Sequence, residues 1–364
     1  MRHWRLPGFF RFIESLSGVN MKAAVMKEPG VLELEDLPDA ACPKGGALVK
    51  VEACSVCGTD IKMLKNGHKD LIYPRVPGHE ITGRILEVDD DDQDIKAGDL
   101  VQVWPGIACG KCKPCLKGDD NRCERMGILG FNRDGGFAEL IALPPESVRK
   151  LTPIEGGIDP CLVSLAEPLA CCINGQKLTG VFEGDSVLIL GGGPIGCLHA
   201  LLAGLTCAER IIVAEKLENR VGLIKENVAC SVINTSDESL ESAVMDETDG
   251  RGADVILTAT PEIRVDDQVL RLLSPGGRAC VFSGPGFGNR VVPIDLRSMH
   301  YRELTVVGAY GCTSRQNGLA VKMIQSGALN LEWLLTMRTS LDRIKDAFLH
   351  TSDRRGLKSV IDDF

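Results

Sequence analysis

This chain is poor in aromatic residues, carries no excess of positive charge and contains no long uninterrupted apolar run. Aromatics make up 4% of its 364 residues, and the formal net charge is -9 at neutral pH. A negative balance of that size argues against an extended nucleic-acid surface, leaving room at most for a local basic patch. No segment is long and apolar enough to span a bilayer, so no membrane partner is expected. The first twenty residues include Arg2, Arg5 and Arg11, but Pro7, Gly8, Arg11 and Glu14 interrupt their apolar stretches. They do not read as a secretory signal; residues 1–20 are expected to form an N-terminal extension, either an accessory arm or the product of an early start codon. Internal repeats and low-complexity tracts are missing too. With 44% hydrophobic and 25% charged residues, the composition excludes a disordered or fibrous chain.

Cysteine, by contrast, is abundant. Fifteen residues is an odd number, in a chain too large to need a disulfide scaffold. Without a secretory signal, the expected setting is reducing and cytoplasmic, where clustered cysteines point to metal. The length suits two domains.

The first half alternates short β-type runs with Gly and Pro punctuation. Met21–Met26, Ala47–Ala53, Glu80–Val88 and Leu100–Val103 read as strands, and Asp89–Asp92 as a solvated acidic turn without the glycine and distal glutamate of a calcium loop. After about Glu167 the pattern changes. Strands at Ser186–Leu190, Arg210–Ala214, Ala253–Thr258, Arg278–Ser283 and Glu303–Gly308 alternate with helical stretches, which predicts a parallel sheet covered on both faces.

Three motifs carry chemistry. The first, Gly191-Gly-Gly193-Pro194-Ile195-Gly196, directly follows a strand and opens a helix, with Glu215 ending the next strand. Gly191 permits the tight turn, Gly193 lets a pyrophosphate approach the backbone, and Gly196 lets the helix pack closely; the helix N-terminus offers N–H groups to the phosphates. Glu215 suits the ribose hydroxyls and repels a 2′-phosphate, which favours NAD over NADP, while Lys216 and Arg220 nearby work in the opposite direction. The second motif is Cys109, Cys112, Cys115 and Cys123, spaced C-x2-C-x2-C-x7-C. Four thiolates in one loop close a tetrahedron around structural zinc, and the long last gap departs from ferredoxin spacing. The third is dispersed: Cys57-Gly-Thr59-Asp60, Gly78-His79-Glu80 and Glu167-Pro-Leu. Cys, His and carboxylate are ligand types of a catalytic zinc with an open position. None is specific alone, and Cys54 with Cys57 also reads as a redox C-x-x-C.

Together with Gly130-Phe-Asn-Arg-Asp-Gly-Gly-Phe-Ala-Glu139, these motifs resemble the zinc-dependent medium-chain dehydrogenase/reductase superfamily, and within it the sorbitol (polyol) and threonine dehydrogenases. The resemblance covers the chain from Met21 to the C-terminus. It implies an α/β fold in which a GroES-like β-rich catalytic domain (21–170, completed by 312–364) is interrupted by a Rossmann, doubly wound parallel-sheet NAD-binding domain (171–311). It implies that Cys57, His79 and Glu80 bind or contact the catalytic zinc, with Glu167 a ligand or an outer-shell group. It further implies that Thr59 begins a proton relay, that Asp60 orients a ligand, and that the assembly is a homodimer or homotetramer.

The implied reaction is oxidation of a secondary alcohol of a polyol, cyclitol or similar small polar substrate to a ketone, with hydride passing to NAD. The alternatives are threonine-type 3-hydroxy amino acid oxidation and a zinc- or redox-sensing protein on the same scaffold. Where many relatives continue the first catalytic motif with a histidine, this chain has Ile61-Lys62, which unsettles the usual proton exit; one route through Glu167 and water is an alternative. Arg315, in Tyr310-Gly-Cys-Thr-Ser-Arg315, is a candidate for a phosphate or carboxylate but fits a surface position equally well.

Overall fold

A computed structural model describes residues 20–89, 95–284 and 291–364. The N-terminal extension up to residue 19 and most of the acidic turn, from Asp90 onward, lie outside the described residues.

Strands β1 (Asn20–Glu28) and β2 (Val31–Pro38) form an antiparallel hairpin. The β-rich half continues with β3 (Ala47–Ser55), β4 (Glu80–Val88) and β5 (Leu100–Val103). Two small strands, β6 (Gly106–Ile107) and β7 (Gly127–Ile128), bracket the four-cysteine loop and pair with each other. β8 (Leu140–Leu143) and β9 (Thr152–Pro153) complete this part. Alternate residues of β3, among them Ala47, Val49, Val51 and Ala53, are buried; Phe137, Met63 and Ile81 help fill the core beneath the sheet.

The helix Ala166–Thr179 leads into a second sheet: β10 (Ser186–Leu190), β11 (Arg210–Glu215), β12 (Ser231–Asn234), β13 (Ala253–Thr258), β14 (Leu273–Val281) and β15 (Thr305–Gly308). All neighbours pair in parallel, in the order β12-β11-β10-β13-β14-β15. This is the Rossmann arrangement, and the order reverses direction between β10 and β13, where such sheets open a crevice at their carboxyl ends. Every residue of β10 is buried because helices cover both faces, hence its unbroken apolar run.

The chain then returns to the first sheet. β16 (Leu335–Ser340) and β17 (Lys358–Asp363) extend it to β16-β17-β3-β4-β5-β9, with β8 also on β3. The fold class is therefore the expected one, a GroES-like domain joined to a Rossmann domain. Details differ at strand ends. The strand expected from Glu303 starts at Thr305, since Glu303 has φ +54° and cannot sit in a ladder. β12 escapes a reading by alternation because its four residues are mostly half-buried, and β16 and β17 likewise carry no strong turn signals.

Candidate active site and metal centres

The C-terminal end of β3 runs directly into Cys57, which caps the helix Gly58–Asn66. The cap is reciprocal: Thr59 N donates to Cys57 Sγ at 3.4 Å, and Cys57 N donates to Asp60 Oδ2 at 2.9 Å. Cys57 is thereby turned out of the strand while Asp60 is drawn fully into the interior. Gly78-His79-Glu80 enters β4 beside it, in antiparallel register with Ser55 opposite Glu80. The outcome is one cluster in which ligand atoms of Cys57, His79 and Glu80 all lie within 4.8 Å of one another. Thr59 is half-buried beside them.

Electrostatics assign roles within the cluster. His79 Nδ1 lies 3.3 Å from Asp60 Oδ1, and neither buried atom completes a hydrogen bond elsewhere. Burial opposes a charged imidazole, but the Asp60 carboxylate and Cys57 outweigh it and hold the His79 pKa well above its usual value. A carboxylate behind one ring nitrogen, with a thiol at the other, is how metal-binding histidines are held in a fixed tautomer. Both carboxylate oxygens of Glu80 accept from Lys358 Nζ, which also donates to Val56 O at 3.2 Å. Burial pushes the Glu80 carboxyl up while Lys358 pulls it down, and Glu80 in turn keeps Lys358 above its ordinary value despite burial. Glu80 is thus an ion-paired neighbour of the thiol and imidazole. Cys54, the other half of the C-x-x-C, is fully buried under Gly78 and Gly136; burial lifts its thiol far above the usual range, so it packs as an apolar group.

Glu167 sits in the first turn of the helix Ala166–Thr179 and faces elsewhere. Cys171 Sγ, one turn on, donates to Glu167 Oε1 at 3.4 Å, and these two group with Cys312. Glu167 remains near enough to Glu80 to raise its carboxyl. Lys62 and Arg315 are both exposed.

In the four-cysteine loop, Cys112 Sγ lies 3.3 Å from Cys115 Sγ and 3.9 Å from Cys123 Sγ, and all four sulfurs lie within 4.8 Å of one another. Backbone amides point at them: Cys109 N reaches Cys123 Sγ at 3.3 Å and Arg125 N reaches it at 3.4 Å. The amides of Lys111 and Cys112 bring the Cys109 thiol down to about 6. Those of Cys115 and Glu124 lower Cys112. Amides aimed at sulfur favour thiolates, the form that binds zinc, so this donor set fits a closed tetrahedral site.

The glycine loop lies at the head of the helix Pro194–Leu205, at the crevice beside β10. Gly191 takes φ +109°, and a Cβ on Gly196 would lie 1.8 Å from Gly191 O, so the turn can close on the helix only with glycine there. Glu215, at the end of β11, accepts from Gly192 N at 3.0 Å, Lys216 N at 2.6 Å and Leu217 N at 3.0 Å. A shelf with a fixed carboxylate beside a free helix N-terminus fits a dinucleotide. Arg220 is buried; its Nε and Nη2 donate to Gly356 O at 3.2 and 2.9 Å, and its Nη1 lies 3.9 Å from Glu215. Its role as a tie between the Rossmann helix and the C-terminal segment was not readable from sequence, because Gly356 lies far along the chain. Lys358, partner of Glu80, was missed for the same reason.

Comparison with known proteins agrees with this geometry. Residues 43–153 match the alcohol dehydrogenase GroES-like domain, and residues 194–326 match the zinc-binding dehydrogenase family. The chain is similar to the L-threonine 3-dehydrogenase of Pyrococcus furiosus, with 34% identity over 86% of this chain and 90% of that protein. It is also similar to the L-galactonate-5-dehydrogenase of Escherichia coli, with 28% identity over 86% of this chain and 91% of that one. Among solved structures, an NADP-bound zinc-binding dehydrogenase of Sinorhizobium meliloti superposes with TM-score 0.86 and 28% identity, covering 94% of this chain and 99% of that chain. This chain belongs to the zinc-dependent medium-chain dehydrogenase/reductase superfamily, whose members are oxidoreductases acting on alcohols.

Proposed function

We propose that the protein oxidises a secondary alcohol of a polyol, cyclitol or similar small polar substrate to a ketone, passing hydride to NAD. The observation that carries this reading is the juxtaposition of Cys57 and His79, backed by buried Asp60, in a family whose members oxidise alcohols. A zinc ion held by Cys57, His79 and a carboxylate from Glu80 or Glu167 would supply Lewis acidity to the substrate hydroxyl. Asp60 keeps the imidazole aimed. Lys358 holds Glu80 ionised and near the centre while tying it down. Thr59 begins the removal of the hydroxyl proton, and the half-buried Glu167 carboxylate passes it to solvent, since Lys62 is exposed on the helix where relatives place their relay group. Cys109, Cys112, Cys115 and Cys123 hold a second, structural zinc.

NAD is the preferred acceptor in this reading because the Glu215 carboxylate would meet a 2′-phosphate with like charge, and Arg220, engaged by Gly356, is not free to neutralise it. Gly191, Gly193, Pro194, Ile195 and Gly196 would receive the pyrophosphate. The assembly in this reading is a homodimer or homotetramer.

A second reading, oxidation of L-threonine or a related 3-hydroxy amino acid, is favoured by one observation, the 34% identity to a threonine dehydrogenase over most of both chains. One experiment separates them: NADH absorbance with a panel of polyols, inositols and L-threonine, each offered with NAD and with NADP. The reading predicts turnover with a polyol or cyclitol and NAD; turnover confined to L-threonine would replace it with the second.

A further inference from the structure

Beyond the three motifs, the structure brings together two cysteines that no motif joins. Cys171 and Glu167 are one helical turn apart on the helix Ala166–Thr179, so their side chains leave the same face. Cys312 arrives from the segment after β15, separated from Cys171 by most of the Rossmann domain. That segment is held by a set of hydrogen bonds: Trp104 Nε1 donates to Cys312 O at 3.2 Å, and Asn174 Nδ2 donates to Gly311 O at 2.9 Å. Thr313 then caps the helix Ser314–Gln325, with Gln316 closing the capping box. Both sides of the contact are therefore fixed before any ligand arrives. Glu167, Cys171 and Cys312 offer an oxygen and two sulfurs, all within 4.8 Å of one another. Glu167 and Cys171 are half-buried, so solvent reaches the group from one side, while Cys312 is buried.

We propose that Glu167, Cys171 and Cys312 form a third cation site, beside the catalytic cluster and distinct from the four-cysteine loop, that takes a thiophilic d10 ion such as Zn2+ or Cd2+. Two sulfurs and one carboxylate oxygen are a soft donor set that favours these ions over Mg2+ or Ca2+, which require oxygen. Three protein donors leave a tetrahedral ion one position for water or an added ligand. Binding displaces the two thiol protons to solvent and replaces the Cys171–Glu167 hydrogen bond with metal–ligand bonds. The site is independent of whether Glu167 also approaches the Cys57 cluster, since Cys171 and Cys312 lie outside that cluster.

The test uses the full-length protein as purified. Total zinc plus cadmium per chain is measured by elemental analysis after equilibration with CdCl2 and gel filtration, with the ultraviolet thiolate-to-cadmium band as a second readout. The expected result is a rise of one ion per chain over the untreated protein. Cys171→Ser and Cys312→Ser should each abolish that rise and weaken the band, whereas Cys207→Ser, an exposed cysteine far from the site in sequence, should leave both unchanged. Cys171→Ser alone suffices if the buried Cys312 does not tolerate serine. Retention of the extra ion in both folded variants, its loss in Cys207→Ser, or no rise in the unaltered chain would each overturn the proposal. Because the readout is metal content, an absence of dehydrogenase turnover would count against the proposed function and leave this site standing.

Discussion

The two metal-binding regions are built in opposite ways. The four-cysteine loop gathers its donors within fifteen residues of chain, between β6 and β7, and its sulfurs are turned to one centre by amides of the same loop. The other cluster draws Cys57 from the end of β3, His79 and Glu80 from the start of β4, and then depends on Lys358 of β17, 278 residues from Glu80. The local site needs little but its own loop. The dispersed site exists only when the sheet has formed across both ends of the chain, so its chemistry is tied to global folding. A closed, self-contained site is what structural zinc requires, whereas an open one assembled at a sheet end is what a substrate requires.

This contrast can be broken or sharpened in a graded series. Cys112→Ser should have the largest effect: loss of one zinc per chain and of several kcal/mol of the folding free energy that the ion contributes, read by metal analysis and thermal unfolding. Activity should fall only as far as the protein unfolds; selective loss of turnover with unchanged stability would erase the division of labour. Cys57→Ala should do the reverse, lowering kcat by roughly a thousandfold through the loss of several kcal/mol of polarisation, with unfolding little changed. Next comes Lys358→Met, which leaves the Glu80 carboxylate buried without its partner and should cost about 3 kcal/mol in denaturant unfolding; adding Glu80→Gln should recover most of it. If the double variant is no more stable than the single, the pair is not coupled as described. The smallest effect expected is from Asp60→Asn, roughly 10–100-fold in metal affinity or turnover, since it disturbs the orientation of His79 and not the ligand itself.

The same contrast explains what sequence could reveal. C-x2-C-x2-C-x7-C is a local spacing, and the glycine fingerprint with Glu215 is a local strand–turn–helix pattern, so both are legible without a structure. The strand ladder at Val51 and Ala53 is legible through alternation. Lys358 is not, because nothing near it in sequence betrays a buried carboxylate partner, and its burial inverts the usual expectation for lysine. Arg220 is legible as a cation near the phosphate turn, but its engagement by Gly356 depends on tertiary packing. Glu167 was expected beside Cys57; its contact with Cys171 follows from a helical register that spacing suggests and from a distant loop that spacing cannot place.

The central claim is that the dispersed cluster oxidises a secondary alcohol. Its most direct test is NADH formation by the unaltered protein and by Cys57→Ala on a panel of polyols, inositols and L-threonine, with zinc content measured in parallel. The account predicts NADH from at least one panel alcohol with the unaltered chain, almost none with Cys57→Ala, and a zinc content lower by one ion in that variant. Equal rates in the two proteins, or normal zinc and NAD binding with no turnover of any panel member, would contradict it.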